Sequence, residues 1–479
     1  MSRPPRPRFT IAPLIIAVLL TGLGLAEQPA RDVTARARAI GTDKPQDEPA
    51  RLITTSPDQA RLKFPAFVLG IEKASRKVIG CPPDRGLDTS RAPKAVRDQI
   101  HRTFHETPLA SDCLFVSHIA EFVPTSDPVV FTPVLRYDAY RETDPPAPRD
   151  VFMSGREATL SLRDRLKEIA AERAAVGRPV SHLIVFATGW HTPQARTLAD
   201  MDELFGSITA AAVGDHTFSP LFFGISWPSF SDEIAGTIET LAGLRRQLKP
   251  AKGLTTLTRF LNDPEIGGKI GFLGYPAISK DADEVGMVPV STLVNQVLVP
   301  LRETLPGNPP VVVIVHSFGA RVASWTPFTA PLLPPAGDTA ASAGPDLVIG
   351  LQGAFPAARF DTTVKHRRPY VEGVSFADHR AFRTVFAYTC ANDDALRLGR
   401  IFDVMIGDAQ ALERARSTKS PAFSTYKALD IEAAGLKLEP LSRKVLLIDA
   451  RDIIGSHNDV RTDRVGRLVW ALMKDLVPH

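Results

Sequence analysis

The sequence predicts an α/β protein built on a doubly wound, mostly parallel β-sheet. From residue 151 to the end of the chain, short apolar runs alternate with amphipathic segments of helical period. The apolar runs show no alternation of polar and apolar residues, which is expected for strands that helices cover on both faces. The clearest run, at residues 311–315, consists only of Val and Ile and leads straight into His316 and Ser317.

Composition bounds the class of protein. Of the 479 residues, 44% are hydrophobic and 23% are charged, as in ordinary folded globular proteins. The 57 basic residues are mixed with 53 acidic ones rather than grouped, so the sequence predicts no nucleic-acid partner. We predict no metal and no cofactor.

The first residues have the pattern of a secretory signal peptide. Three arginines precede an apolar run at residues 11–26, and this run ends in Gly24-Leu25-Ala26, whose small residues suit a signal peptidase. We expect residues 1–26 to be cleaved off after Ala26 and the mature protein to be exported, as a periplasmic or secreted protein. The alternative is an uncleaved membrane anchor, although the run is short for about 30 Å of hydrocarbon. Membrane association is expected only in that case.

The next part of the chain has a less regular pattern. Residues 27–60 are rich in Arg, Ala, Asp and Pro without an apolar period, and we interpret them as a mobile connector. Residues 61–150 contain short apolar runs separated by prolines. This N-terminal extension either supplies the first strands of the sheet or forms a small separate lobe. Its Cys81 and Cys113 are candidates for a disulfide in an exported protein, and in that case Cys390 has no cysteine partner.

The predicted elements of the domain at residues 151–479 follow in regular order. A capping box at Ser154 and Glu157 starts a helix that Gly177 ends. Residues 230–275 break the alternation, and we interpret them either as a cap over a site or as a plain surface excursion. The other predicted elements are strands at 183–187, 221–226, 311–315, 346–351, 383–388 and 444–449, and helices at 198–213, 290–305 and 465–476.

Reactive side chains follow three of these strands. Ser317 comes at the end of one strand, Asp393 and Asp394 come after a later one, and His457 comes after the last. In an open parallel sheet, the loops at the carboxyl ends of the strands line the ligand site. The order Ser, Asp, His along the chain is that of a catalytic triad on such a sheet. Serine is a weak nucleophile that needs a base, and the histidine needs an acid that holds its tautomer.

Each of these residues also has a purely structural interpretation. Ser317 is able to cap the helix that follows it, and Asp393 is able to cap a helix that begins near Ala395. Asp394 is the alternative acid, because it is adjacent and chemically equivalent. In the structural interpretation, His457 is a surface residue at the start of the last helix.

An acyl-transfer site also requires hydrogen-bond donors for the developing oxyanion. The predicted donors are the backbone N–H of Phe318, directly after the serine, and the backbone N–H of Trp190, after an earlier strand. The neighbouring His191 is a candidate for substrate contact. We expect His316 to pack beside the turn without a catalytic role, and Cys390 to be a buried small hydrophobe rather than a nucleophile.

Four short segments occur in a fixed order along the chain, and their residues are Ile184-Val185-Phe186 with Gly189-Trp190, Gly224-Ile225-Ser226-Trp227-Pro228-Ser229, His316-Ser317-Phe318-Gly319-Ala320-Arg321 and Asn392-Asp393-Asp394-Ala395-Leu396. Together they resemble a bacterial family of largely uncharacterised α/β-hydrolase proteins related to esterases and lipases. The resemblance runs from about residue 151 to the C-terminus. It implies Ser317 as nucleophile, His457 as base and Asp393, rather than Asp394, as acid. The implied activity is that of a serine hydrolase that cleaves a small-molecule ester or lipid-like substrate through an acyl-enzyme.

Two positions depart from the pattern of that family. The chain has Thr188-Gly189 where the family usually has His-Gly, and it has Val315 where a small residue usually stands two before the serine. A β-branched side chain at that position crowds the close crossing of strand and helix. These departures motivate an alternative prediction, a catalytically weak or inactive hydrolase-fold protein that serves as a binding module of the cell envelope.

Overall fold

The computed structural model is an α/β protein with one ten-stranded, mostly parallel mixed sheet and helices packed against it. The predicted signal peptide, most of the predicted connector and nearly all of the candidate cap at residues 230–275 lie outside the described residues. The structure describes residues 52–92, 94–105, 112–127, 129–140, 151–189, 192–227, 275–334, 344–361, 383–393, 395–396, 404–420, 422–435 and 445–476.

The strands lie across the sheet in the order β3-β2-β1-β5-β4-β6-β7-β8-β10-β9. In chain order they are β1 (Ala66–Ser75), β2 (Asp112–Pro124), β3 (Phe131–Asp138), β4 (His182–Ala187), β5 (Pro220–Ser226), β6 (Val311–His316), β7 (Leu347–Leu351), β8 (Val385–Cys390), β9 (Phe423–Lys427) and β10 (Val445–Asp449). β2 runs antiparallel to β1 and β3, and the other neighbouring pairs are parallel. The predicted α/β class and mostly parallel sheet are confirmed.

Ten α-helices lie in the described part of the chain, and the longest of them is interrupted by π-helical turns. They are α1 (Leu52–Thr55), α2 (Lys94–His105), α3 (Val151–Ala175), α4 (Gln194–Ala211), α5 (Tyr275–Val285 continuing through Gly286–Val290 and Thr292–Leu298 to Val299–Arg302), α6 (Phe318–Ser324), α7 (Thr326–Thr329), α8 (Ala409–Thr418), α9 (Ala428–Ala434) and α10 (Asp463–Leu476).

Both faces of the central strands are buried, which explains why their sequences do not alternate. In β6, Val311, Val313 and Val315 join the hydrophobic cluster on one face, and Val312 and Ile314 join the cluster on the other. Residues of α3, α5 and α6 belong to the first cluster, and residues of α4 and α10 belong to the second. The carboxyl end of β6 is thereby fixed in the middle of the sheet.

The N-terminal extension at residues 61–150 takes the first of the two arrangements that the sequence left open. It supplies β1, β2 and β3, and β1 extends the parallel part of the sheet by pairing with β5. β3 is an edge strand and contains Pro133, a residue that edge strands tolerate because one side of the strand makes no ladder hydrogen bonds. The extension is therefore part of the same sheet rather than a separate lobe.

The end of the predicted connector is also packed. Ile53 and Ala60 are fully buried, and the Ile53 N–H donates to the side-chain oxygen of Gln194 at 2.8 Å. These contacts fix residues 52–60 against α4. This part of the chain therefore differs from the mobile connector that its polar composition predicted.

α5 begins well before the helix predicted at residues 290–305. Its first turns carry Lys280, Asp281, Asp283 and Glu284, which break the apolar pattern although all four are buried. The three acids pair with basic side chains from other elements, as Lys73–Asp281, Arg321–Asp283 and Arg85–Glu284. Burial of a charge is tolerated when a partner neutralises it, so these paired acids can occupy buried positions of the helix.

One helix among the described residues, Ile278–Arg302 within α5, is long and apolar enough to cross a membrane by length and composition. Its apolar window is entirely buried inside the protein. The helix contacts α3, α6 and β2, so it occupies the position of a core helix.

Further differences concern the start of α3 and three elements that the sequence analysis did not predict. α3 begins at Val151 rather than at Ser154, because Val151 and Phe152 are buried and the Phe152 N–H donates to the Ile79 carbonyl at 3.1 Å. The predicted capping box therefore lies inside the helix. β9, α8 and α9 were not predicted, and β9 is a half-buried edge strand without a long apolar run.

The candidate cysteine pair forms a disulfide. Cys81, in the segment after β1, is bonded to Cys113 near the start of β2, 32 residues later in the chain. Cys390, the last residue of β8, is free and buried.

Candidate active site

Ser317 occupies the sharp turn between β6 and α6. Its backbone has φ 54° and ψ −121°, in a region where a side chain is strained. The surrounding backbone holds this conformation: the Ser317 N–H donates to the Leu351 carbonyl, and the Ser317 carbonyl accepts from the N–H groups of Ala320 and Ala354, each at 3.0 Å. The Ser317 side chain makes no cap hydrogen bond to α6. The helix-cap interpretation is therefore not the one found in the structure.

The turn is possible because two glycines let backbone segments approach each other closely. A Cβ placed on Gly319 would lie 2.4 Å from the Ala187 carbonyl oxygen at the end of β4. A Cβ on Gly189 would lie 2.6 Å from the Ser317 Cβ and 3.1 Å from its Oγ. The loop after β4 is thus packed directly against the serine side chain, and α6 is packed against β4.

Val315 does not prevent this close packing. Its side chain is fully buried, and the residue beside it in register on β7 is Gly350, which carries no side chain. Thr188, the other departure, is also buried, and its hydroxyl lies 3.3 Å from the Thr197 hydroxyl on α4.

Ser317, His457 and Asp393 form one hydrogen-bonded chain. The Ser317 Oγ lies 3.0 Å from His457 Nε2, and His457 Nδ1 lies 2.5 Å from Asp393 Oδ2. A carboxylate only accepts, so Nδ1 carries the proton and Nε2 is the acceptor for the serine hydroxyl. The three residues come from the loops after β6, β8 and β10, at the carboxyl ends of parallel strands.

Asp393 is fixed by its second oxygen. Oδ1 accepts from the backbone N–H groups of Ala395 at 2.8 Å and Leu396 at 3.2 Å, so Asp393 caps the turn after β8 as well as contacting His457. Burial alone raises the pKa of this carboxyl. The hydrogen bond and charge of His457, with those two N–H groups, outweigh it and lower the pKa below its usual value. Asp393 is therefore ionised wherever His457 needs a negative partner.

His457 lies in the loop between β10 and α10, and its side chain is 23% exposed while that of Asp393 is fully covered. The 3₁₀ turn Asp459–Arg461 follows directly, and the Arg461 guanidinium pairs with Asp200 of α4. The imidazole is thus open to a ligand on one side, and the turn behind it is fixed to a helix.

His316, to which the sequence assigned no role, contacts the same loop. Its Nε2–H donates to the backbone carbonyl of His457 at 2.8 Å, and the two rings lie 4.7 Å apart between centroids. Burial is the main cause that lowers the pKa of His316 to about 3, and the neighbouring His457 lowers it further. His316 is therefore neutral under ordinary conditions.

The loop after β4 is held by a residue of the Ser-Trp-Pro-Ser segment. The indole N–H of Trp227 donates to the Thr188 carbonyl at 3.0 Å, and Trp227 is buried. Trp227 belongs to one of the segments that carry the resemblance, but its sequence position does not show what the side chain contacts. The contacts Trp227–Thr188 and His316–His457 could not be predicted from the sequence, because each joins residues that are far apart along the chain.

The predicted oxyanion donors are only partly described. Phe318 is the first residue of α6, where the N–H groups of a helix point out of its N-terminal end. Trp190, His191 and the alternative acid Asp394 lie outside the described residues. Burial raises the pKa of the Cys390 thiol well above its usual value, which makes this cysteine a poor nucleophile.

Within the ranges that the structure describes, no group of three or more His, Cys, Asp or Glu side chains is arranged to hold a metal ion. No family model, curated protein or solved structure matches this chain. Inference about function therefore rests on the geometry of the site.

Proposed function

We propose that the protein is an exported serine hydrolase with an α/β-hydrolase fold, which cleaves a carboxylic ester through an acyl-enzyme on Ser317. One observation carries the proposal: Ser317, His457 and Asp393 are hydrogen-bonded in sequence, at 3.0 and 2.5 Å, across three separate loops. A serine in a structural role needs no imidazole–carboxylate pair behind its hydroxyl. This arrangement is the one that activates a serine nucleophile.

In the first half of the reaction, His457 Nε2 takes the Ser317 hydroxyl proton while Oγ attacks the ester carbonyl carbon. The charge that develops on the carbonyl oxygen faces the N-terminal end of α6, where Phe318 follows the serine. Asp393 stabilises the imidazolium without taking its proton. When the carbon–oxygen bond to the alcohol breaks, His457 gives the proton to the departing alkoxide, and the acyl group stays on Ser317.

In the second half, water replaces the alcohol. His457 Nε2 takes a proton from the water as its oxygen attacks the acyl carbon, and Ser317 then leaves with that proton. The products are a carboxylic acid and the free enzyme. All proton transfers use the same nitrogen, Nε2. His457 therefore keeps its Nδ1–H hydrogen-bonded to Asp393, at 2.5 Å, throughout the reaction.

The binding-module alternative was motivated by Thr188 and Val315. Both are buried, and Ser317 remains 3.0 Å from His457 beside them. Neither residue supplies an observation in favour of an inactive site. Failure of the wild type to be labelled in the experiment below would support the inactive binding module instead.

The test is covalent labelling with a fluorophosphonate probe, which reports an activated serine without knowledge of the substrate. We expect the wild type to be labelled, with the adduct on the peptide that contains Ser317, and Ser317→Ala to be unlabelled. Ser324→Ala is the matched control, because it removes another buried hydroxyl from α6 and should label like the wild type. Equal labelling of wild type and Ser317→Ala would overturn the proposal. A chain-length series of esters would then define the substrate.

Export is the second part of the proposal. The Cys81–Cys113 disulfide supports it, because disulfides persist in oxidising compartments such as the periplasm and the cell exterior. The predicted signal peptide at residues 1–26 supports it independently.

A further inference from the structure

His316 is a buried polar residue directly before Ser317 in the chain, and the proposed reaction does not use it. It is the last residue of β6, and its backbone is held in the sheet opposite Leu351 of β7. Its side chain reaches across to the loop after β10 and donates Nε2–H to the backbone carbonyl of His457 at 2.8 Å. The rings of the two histidines are 4.7 Å apart and tilted by 45°.

The donor lies at the end of a central strand, and the acceptor lies on a loop. β6 is a central strand covered on both faces, whereas His457 stands between β10 and a short 3₁₀ turn, Asp459–Arg461. The Asp393 contact at 2.5 Å fixes one ring nitrogen of His457 and involves no backbone atom of that residue. The contact from His316 fixes the backbone, and the two contacts together define where Nε2 lies.

The chemical state of His316 suits this task. Its burial lowers the pKa to about 3, so the ring is neutral and presents a single N–H, which the carbonyl of His457 accepts. A neutral ring also places no second positive charge beside His457 when that residue becomes an imidazolium. Asp393, whose charge opposes this lowering of the pKa, is already bonded to His457.

We propose that His316 is a positioning residue, which holds the backbone of His457 so that Nε2 faces the Ser317 hydroxyl. This inference rests on the proposed function where it concerns activity. Its geometric part, that His316 fixes the orientation of the His457 ring, can be measured independently of any reaction.

Two substitutions separate the hydrogen bond from the packing. His316→Phe keeps a ring of similar shape and removes the donor, and His316→Gln keeps an N–H close to the position of Nε2. We expect His316→Phe to lower the rate of fluorophosphonate labelling roughly 10- to 100-fold, as a small misplacement of a catalytic group does. We expect His316→Gln to restore most of that loss. Where the wild type is labelled, equal rates for wild type and His316→Phe, or an equal loss in both variants, would overturn the inference.

The matched control is His182→Phe. His182 is also buried, and its ring packs on Phe218 and Trp470, outside the catalytic chain. This variant should label at the wild-type rate even where its unfolding midpoint falls as far as that of His316→Phe. Loss of labelling in His182→Phe would show that any buried-histidine substitution disturbs the site.

Imidazole NMR of His457 in the unlabelled protein distinguishes failure of this inference from failure of the proposed function. We expect the Nδ1–H resonance of His457 to be present in the wild type and His316→Gln, and to be broadened or lost in His316→Phe. If the wild type is not labelled but this pattern holds, the hydrolase proposal fails and the positioning role stands. An unchanged resonance in His316→Phe would refute the positioning role whatever the labelling result.

Discussion

At the scale of single residues, Asp393 divides two tasks between its two oxygens. One oxygen accepts from the His457 ring, and the other accepts from the backbone N–H groups of Ala395 and Leu396. One side chain therefore both caps the turn after β8 and makes the contact with His457 that the catalytic interpretation requires, although the sequence presented the two interpretations as alternatives. The cap also orients the carboxylate, because two N–H donors at fixed positions leave Oδ2 aimed at the imidazole.

This division of tasks predicts different outcomes for two substitutions of the acid. Asp393→Asn keeps a capping oxygen and therefore turns its NH₂ group toward His457 Nδ1. An NH₂ group only donates, so the tautomer without a proton on Nδ1 is favoured, and this is the wrong tautomer for accepting the serine proton at Nε2. We expect the labelling rate to fall roughly 10³- to 10⁴-fold. Stability should change little, whereas Asp393→Ala should cost about 1 kcal/mol more because it also removes the cap. Labelling kinetics and urea unfolding measure the two effects.

Asp394→Asn is the matched control for the choice of acid. The resemblance prefers Asp393, and the hydrogen bond to His457 comes from that residue. We expect Asp394→Asn to label within a few-fold of the wild type. A large loss in Asp394→Asn with a normal rate in Asp393→Asn would reverse the assignment.

At the scale of elements, the site depends on how closely three segments approach each other. The end of β6, the start of α6 and the loop after β4 meet around Ser317, with Gly189 and Gly319 at the closest points. Trp227 at the end of β5 fixes the loop after β4 through the Thr188 carbonyl. The sequence marked these segments as strand ends but not as contacts, since strand order in the sheet is a property of the fold.

We predict that Gly189→Ala abolishes labelling. The added Cβ would lie 2.6 Å from the Ser317 Cβ and 3.1 Å from Oγ, so the loop or the serine must shift. Gly206→Ala is the control, because Gly206 lies in α4 with no atom within 4 Å of an added Cβ. That variant should label normally and gain roughly 0.5–1 kcal/mol of stability. Normal labelling of Gly189→Ala would mean that the loop after β4 is not constrained by the serine.

At the scale of the whole molecule, the N-terminal extension and the parallel strands form one sheet. The Cys81–Cys113 disulfide joins the segment after β1 to β2, and Arg85 between these cysteines pairs with Glu284 of α5. Asp283, the residue directly before Glu284 in α5, pairs with Arg321 of α6. The extension is thereby connected through α5 to the helix that follows Ser317.

We predict that the mature protein begins at Glu27 and carries the Cys81–Cys113 disulfide. N-terminal sequencing and intact mass of the protein from its own cell test both, and an intact Met1 would contradict cleavage.

The disulfide is expected to stabilise the fold. A disulfide that joins residues 32 apart restricts the unfolded chain, so its loss should lower the free energy of unfolding by about 3–4 kcal/mol. Reduction should lower the unfolding free energy of the wild type and leave that of the Cys81→Ser/Cys113→Ser variant unchanged.

The α/β class, the central strand β6 and the residues of the candidate site could be predicted from local sequence patterns. These patterns are a continuous Val and Ile run, the turn at Ser317 and polar residues after strand ends. Only the folded structure shows that residues 61–150 complete the sheet, that α5 is buried despite its charges, and that His316 and Trp227 contact the site. These features depend on contacts between distant residues, such as His316 with His457, and local sequence periodicity carries no information about such contacts.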